Sequence, residues 1–377
     1  MIRRNLLERI KSTCFKGKVI LVLGARQVGK TTILNQFVNE IGAPYAWLNA
    51  DESDILQELN SASTSTQLLN LIGKQTRVVV IDEAQQVEGI GKKLKLLHDT
   101  YPEIQVIATG SSSFDLLNRM AEPLTGRKRT FYLHPVSFRE IVDNSNLLEA
   151  KRTLGQRLVW GSYPEVMNNP GDEKEVLIEI SQSYLYKDVL RLEGIRKSTH
   201  LEKLLQALAF QVGSEVKFNE LANNIGNINA ATVEKYLDVL EKAFIIFKLP
   251  ALSRNMRNEI KKGKKYYFYD NGIRNVIISN YSPVEMRMDK GALWENYLIS
   301  ERMKLNSHIS SSPNTYFWRT RDQAEIDYIE ESDGILNVYE FKWGKGKARF
   351  PESFKNAYPN HELGLINREN YTGFVGG

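Results

Sequence analysis

Four apolar stretches of strand length stand out along the chain: Lys18–Leu23, Arg77–Ile81, Gln105–Thr109 and Thr130–Leu133. Each is a run rather than an alternation, which predicts strands buried on both faces. Segments with helical spacing lie between them, such as Thr32–Val38. Strand and helix patterns alternate up to about residue 145, which predicts an α/β domain with a mostly parallel, helix-covered sheet. His134–Glu140 reads as the exit from that sheet into a helix.

Beyond residue 145 the period changes. Residues 146–200 read as a helical lid or linker, interrupted by a turn at Trp160–Glu165, with apolar residues at helical spacing over Glu179–Leu192. Residues 201–270 predict a winged-helix module. A helix over Leu201–Val212 and a short one over Lys217–Ile225 precede a Gly226-Asn227 turn, and a longer helix opens at Asn229. Two strands follow, Ala243–Leu249 and Tyr266–Tyr269, flanking a basic tip of Arg254, Arg257, Lys261, Lys262, Lys264 and Lys265. Such a hairpin beside a helix-turn-helix suits phosphate contacts on DNA. The third helix is not basic, however: Glu234, Asp238 and Glu241 offset Lys235 and Lys242. A protein-binding role for the module therefore stays open. In residues 271–377, Glu325–Ile329 and Val338–Lys342 alternate as strands, and Glu295 lies in a helical stretch.

The first strand runs into Gly24-Ala25-Arg26-Gln27-Val28-Gly29-Lys30-Thr31, followed by Thr32. This is the strand–loop–helix pattern that wraps backbone N–H groups around a nucleotide phosphate. Lys30 is expected to reach the β- and γ-phosphates, and the Thr31 hydroxyl to hold Mg²⁺. The second strand ends in Asp82-Glu83. Asp82 is the expected metal carboxylate and Glu83 the general base for an attacking water, a pairing that points to hydrolysis. The third strand leads into Gly110–Ser113, where Ser111 could sense the γ-phosphate or cap the next helix. Arg127 or Arg129, in Leu124–Arg129, could serve as an arginine finger in cis or on a neighbouring subunit, which would need a homo-oligomer; a solvated basic turn is the competing reading.

A second pattern lies near the C-terminus. Asp327 on one strand, with Glu340 and Lys342 on the next, would offer hard oxygen ligands and a cation, and Glu295 could add a ligand. That is the logic of metal-dependent phosphodiester hydrolysis. A salt-bridged strand pair without activity is the alternative.

Composition adds limits. The chain has 377 residues and a net charge of +5, too mild to prove a nucleic-acid partner. One cysteine, Cys14, excludes an intramolecular disulfide and a cysteine-based metal site. No signal peptide or membrane-spanning stretch is evident, so a soluble cytoplasmic protein without membrane contact is expected.

Taken together, GARQVGKTT, VVVIDEAQ, TGSSS, LTGRKRTFYLHPVSFRE, GSYPEV, YLYKDVL, YFYDNGIRN, WENYLISE, FWRTRDQAEIDYI and YEFKWG resemble, in order, the prokaryotic AAA-type P-loop ATPases fused to a C-terminal domain of restriction-endonuclease-like (PD-(D/E)XK) fold. The resemblance implies a sensor strand inserted between the two Walker strands, with ATP and Mg²⁺ as cofactors. It assigns Lys30, Thr31, Asp82, Glu83 and Ser111 to the ATPase site, and Asp327, Glu340 and Lys342 to the nuclease-type site. The sensor position departs from the family pattern, with Ser in place of Asn. The leading expectation is an ATPase acting on DNA. The alternative is an ATP-dependent regulatory switch that binds a protein, with an inert nuclease-like domain. A GTPase is disfavoured, since no N-K-x-D motif is found.

Overall fold

A computed structural model describes residues 2–111, 124–183, 198–253, 263–307, 309, 312–320 and 324–376. The chain divides into two compact units. One comprises Met1–His134 with Lys242–Phe244, the other Pro135–Glu241 with Ile245–Gly377.

The first unit holds a five-stranded sheet built from β1 (Val19–Leu23), β2 (Tyr45–Asn49), β3 (Val78–Asp82), β4 (Gln105–Gly110) and β5 (Lys128–Tyr132). Its order is β2-β3-β4-β1-β5, all parallel. Every residue of β1, β3 and β4 is buried, whereas the edge strands expose Tyr45 and Tyr132. This is why the central strands read as unbroken apolar runs. Each fully buried Val, Leu or Ile contributes about 1.5–3 kcal/mol of transfer free energy. Strand β4 lies between β3 and β1, the inserted position that the sequence resemblance implied. Helices α1 (Leu6–Thr13), α2 (Lys30–Ile41), α3 (Ser53–Ser61), α4 (Ser65–Ile72) and α5 (Ile90–Thr100) complete the unit. The helix expected to begin near Phe114 falls outside the described residues.

The second unit opens with the helix Phe138–Asn144. Its start is set by a capping box in which the Ser137 hydroxyl accepts from the Glu140 N–H and the Glu140 carboxylate accepts from the Ser137 N–H. Short helices follow at Leu147–Arg152, Leu154–Trp160, Pro164–Asn168 and Glu173–Ser181. Most of the helix expected over Glu179–Leu192 lies outside the described residues. Next come the helix Ser198–Phe210, β6 (Glu215–Val216), the helices Phe218–Gly226 and Ala230–Lys242, β7 (Ile246–Pro250) and β8 (Lys264–Phe268). The three strands form an antiparallel sheet in the order β6-β8-β7. At the expected turn, Asn227 takes the left-handed conformation (φ 53°) that ends the second helix.

The remainder packs the helices Asn271–Ile277 and Lys290–Ser307 with a sheet of β9 (Asn314–Arg319), β10 (Glu325–Ser332), β11 (Ile335–Phe341) and β12 (His361–Ile366). The order is β12-β11-β10-β9, antiparallel except for the parallel pair β11–β12. Trp318, Ile326, Ile329, Leu336, Val338 and Phe354 form its core.

Apart from Lys242–Phe244, the segments 146–200, 201–270 and 271–377 share this single unit, and buried polar groups join them. The Asp270 carboxylate accepts N–H bonds from Ser162 (2.7 Å) and Gly272 (2.8 Å). The Asn275 amide donates to the carbonyls of Leu158 and Val159, and Asn296 pairs with the Phe268 backbone and the Asn271 side chain. Gly161 is required where it stands: its φ is +74°, and a Cβ would lie 1.8 Å from an Asp270 oxygen. No helix among the described residues is long and apolar enough to cross a membrane.

Candidate nucleotide-binding site

The loop Gly24–Gly29 joins β1 to α2 at the C-terminal edge of the parallel sheet, where the strand order leaves room for a ligand. Gly24 packs so closely on the end of β5 that a Cβ would meet the Leu133 carbonyl oxygen at 2.1 Å. Gln27 (φ 60°) and Gly29 (φ 96°) both take left-handed conformations, which curl the loop over the first turn of α2. The Lys30 ammonium, nearly buried, donates to the carbonyls of Gly24 (3.0 Å) and Ala25 (2.8 Å), so it spans the mouth of the loop. Thr32 follows within α2 on an exposed position.

The tips of β3 and β4 complete the site. The Thr31 hydroxyl donates to Asp82 Oδ2 at 2.8 Å. Asp82 Oδ1 accepts from the Thr109 hydroxyl, whose oxygen in turn accepts from the Glu83 N–H at 3.0 Å. Thr109 is fully buried. It therefore ties Asp82 and Glu83 to β4. Glu83 itself is left-handed (φ 51°, ψ 40°), a conformation disfavoured for a side chain with a Cβ and found where surrounding contacts enforce it. Its carboxylate accepts from the Gln85 amide and, at 3.3 Å, from the Ser111 hydroxyl. Ser111 thus contacts Glu83, and Gln85 also reaches Ser111 at 3.2 Å. The Thr31 hydroxyl beside a carboxylate is the hard-oxygen pair that Mg²⁺ favours, so these residues fit the ion.

Thr109, Gln85 and Arg4 were missed in the sequence. Arg4 donates to the carbonyls of Val28 (2.8 Å) and His134 (2.6 Å). Thr109 carried a legible signal, a hydroxyl at a strand tip before Gly110; Arg4 and Gln85 carried none.

Arg127 and Arg129 lie elsewhere. The register pairs Val19 with Lys128 and Leu23 with Tyr132. Both arginines therefore sit at the N-terminal edge of the sheet, roughly 15 Å along the strands from the phosphate loop at about 3.3 Å per residue. Arg127 is paired with Asp99 at 2.9 Å, and Arg129 is exposed in β5, which begins at Lys128. That placement sets both arginines at the opposite edge of the sheet from this chain's own loop.

The C-terminal carboxylates are brought near one another. In β10 and β11 the pair Tyr328 and Tyr339 sets Asp327 beside Glu340, next to a bulge in the β9–β10 ladder. Asp327 Oδ2 accepts from the Phe341 N–H (2.8 Å), and Lys342 Nζ lies 3.3 Å from Glu340. Burial, then the neighbouring Asp327, pushes the Glu340 carboxyl up to about 7. Glu295, on the helix Lys290–Ser307, is also pushed up to about 7, first by burial and then by Asp327, while Lys265 opposes the shift. Its Oε1 accepts from the Tyr267 hydroxyl at 2.6 Å.

Lys265 corrects the expected basic wing. It is 1% exposed, and its ammonium lies between Glu295 (3.5 Å) and Glu325 (2.5 Å) and over the Phe317 ring. Its neighbour Lys264 turns to Glu234 at 3.6 Å and over Phe218. Lys264 and Lys265 lie on opposite faces of β8, and the strand is buried throughout from Lys265 to Phe268. Arg254, Arg257, Lys261 and Lys262 lie outside the described residues. Among the described residues no three His, Cys, Asp or Glu side chains converge to hold a metal, so Glu295, Asp327 and Glu340 do not form a ready-made ligand set.

Residues 16–142 match a family described as AAA domain. Residues 151–283 and 290–372 match two further families, each described as a domain of unknown function (DUF8612 and DUF4143). An uncharacterised protein of Haemophilus influenzae is 25% identical over 369 residues, covering 89% of this chain and 85% of its own length. One from Methanocaldococcus jannaschii is 23% identical over 371 residues, covering 93% and 81%. A solved Walker-type ATPase of Pyrococcus abyssi aligns with a TM-score of 0.51 at 18% identity, over 74% of this chain and 96% of its own. At that identity the likeness bears on the fold. With the parallel sheet and loop described above, it makes the first unit a P-loop domain of AAA type with an ATPase-like fold.

Proposed function

We propose that this chain is a Mg²⁺-dependent ATPase that acts on DNA. The observation that carries the ATPase reading is the chain of contacts Thr31–Asp82–Thr109–Glu83, which links phosphate loop, metal carboxylate, sensor strand and base. Lys30 exchanges the loop carbonyls for the β- and γ-phosphate oxygens. Mg²⁺, held by Thr31 and Asp82, would neutralise phosphate charge. Glu83, oriented by Gln85 and Ser111, accepts the proton of a water attacking the γ-phosphorus, and the ADP oxygen leaves. Arg127 or Arg129 of a neighbouring copy would supply the finger in a homo-oligomer.

The DNA reading rests on the helix–strand–helix–helix–strand–strand order of residues 198–268, which fits a winged helix, and on the Asp327, Glu340 and Lys342 arrangement of a nuclease-like sheet. A second reading, a regulatory switch binding a protein partner, is favoured by the inward pairing of Lys265 and by Lys264 being paired with the exposed Glu234 on the third helix.

The test is ATP turnover with and without duplex DNA, together with the salt dependence of DNA binding. Stimulation with steep salt dependence supports the DNA reading. Turnover indifferent to DNA moves the switch reading ahead.

A further inference from the structure

The phosphate loop is held from behind by a residue of the N-terminal segment. Arg4 precedes α1, whose Leu6, Leu7 and Ile10 are fully buried, and it is itself 7% exposed. A rigid, packed helix therefore delivers its guanidinium. One nitrogen donates to the Val28 carbonyl at 2.8 Å and the other to the His134 carbonyl at 2.6 Å. The two acceptors lie 106 residues apart in sequence, one in the loop and the other just beyond β5.

The Val28 carbonyl matters because of what lies across its peptide bond. All described peptide bonds are trans, so the Val28 C=O and the Gly29 N–H point in opposite directions from one plane. Drawing the carbonyl onto Arg4 turns the Gly29 N–H away from it. Gly29 has φ 96°, a region where glycine has little steric preference and the plane could rotate. A rotated plane would present a carbonyl oxygen, not an N–H, to a phosphate. We propose that Arg4 is a positioning residue of the phosphate loop, which fixes the Val28–Gly29 peptide in the orientation that binds an anion. The His134 contact anchors the guanidinium to the end of β5, where the Leu133 N–H also bonds to Leu23 at 2.7 Å. A lysine could not replace it, because one ammonium does not reproduce the planar fork that spans two carbonyls.

This inference rests on the ATPase reading, and its test separates the two. ATP, ADP and AMP binding is measured by calorimetry on the wild-type chain, Arg4→Gln and Arg4→Lys, with thermal unfolding of each nucleotide-free protein. Arg4→Gln is expected to bind ATP and ADP about tenfold more weakly or worse, the scale of one lost charge-assisted hydrogen bond. AMP, which lacks the β-phosphate the loop encloses, should lose much less. Arg4→Lys should fall between, and millimolar guanidinium ion should restore part of the ADP affinity of Arg4→Gln. Unchanged ADP affinity in folded variants, or equal loss for AMP and ADP, overturns the inference. If Arg4→Gln does not fold, Arg4→Lys carries the same comparison. No nucleotide binding by the wild-type chain would remove the ATPase reading and the inference with it.

Discussion

The molecule carries two clusters of acids and lysines, and they are neutralised differently. At the phosphate loop, Lys30 donates to the carbonyls of Gly24 and Ala25, and Asp82 accepts from the hydroxyls of Thr31 and Thr109. Such partners are readily exchanged for a phosphate or a cation. In the C-terminal cluster, Lys265 lies between Glu295 and Glu325, and Lys342 is bonded to Glu340. There the chain supplies its own counter-ions. A ligand would have to displace an ion pair that already offsets the desolvation of its members. The same residue types thus meet carbonyls and hydroxyls in one place and carboxylate–ammonium pairs in the other.

Three variants sharpen that contrast. The largest effect is expected at Glu83: Glu83→Gln should keep ATP binding but lower turnover by about two orders of magnitude or more, in a single-turnover assay. Near wild-type turnover would remove Glu83 from its role. Next in size, Lys265→Met leaves the buried Glu295 without its cation, while Glu325 keeps Arg319 at 3.7 Å, and should cost about 3–5 kcal/mol of stability by denaturant unfolding. ATP affinity should not change; a stability loss under 1 kcal/mol would show that the ion pair is not what closes this cluster. Thr109→Val leaves the Glu83 N–H and an Asp82 oxygen without their partner. It should cost about 1–3 kcal/mol and also slow turnover, whereas a stability loss with normal turnover would make Thr109 purely structural.

The smallest effect is in pH. Glu295 and Glu340 stand at about 7 in the folded chain. An unfolded glutamate titrates near about 4.3, so between these values the folded state binds more protons. Their contribution to stability is full below the unfolded value and is lost as pH rises through about 7. Glu340→Gln should flatten the decline seen in urea midpoints across that window; an unaltered slope would mean that Glu340 titrates normally.

Much of the first unit was legible because its chemistry is local. The loop, its strand and its helix are contiguous, and the short buried runs Val19–Leu23 and Val78–Asp82 have the length and β-branched content of doubly covered strands. The distant supports were not legible. Arg4 looks like one of several N-terminal charges, and its role depends on a carbonyl 24 residues away. Lys265 sits in a lysine-rich stretch that reads as a solvated wing, and only the packing around β8, buried from Lys265 to Phe268, places it inside. Arg127 and Arg129 were placed by composition near a basic turn, but the register of β5 against β1 determines which edge of the sheet they occupy. The buried network around Asp270, which joins segments that looked separate, involves pairs more than 100 residues apart.

The most direct test of the central claim is Mg²⁺-dependent ATP hydrolysis by the purified chain, with Lys30→Ala and Glu83→Gln measured alongside. Turnover that requires Mg²⁺, loss of binding in Lys30→Ala, and binding without turnover in Glu83→Gln are expected. Turnover that persists in Lys30→Ala, or a wild-type chain that binds no ATP, would contradict that claim.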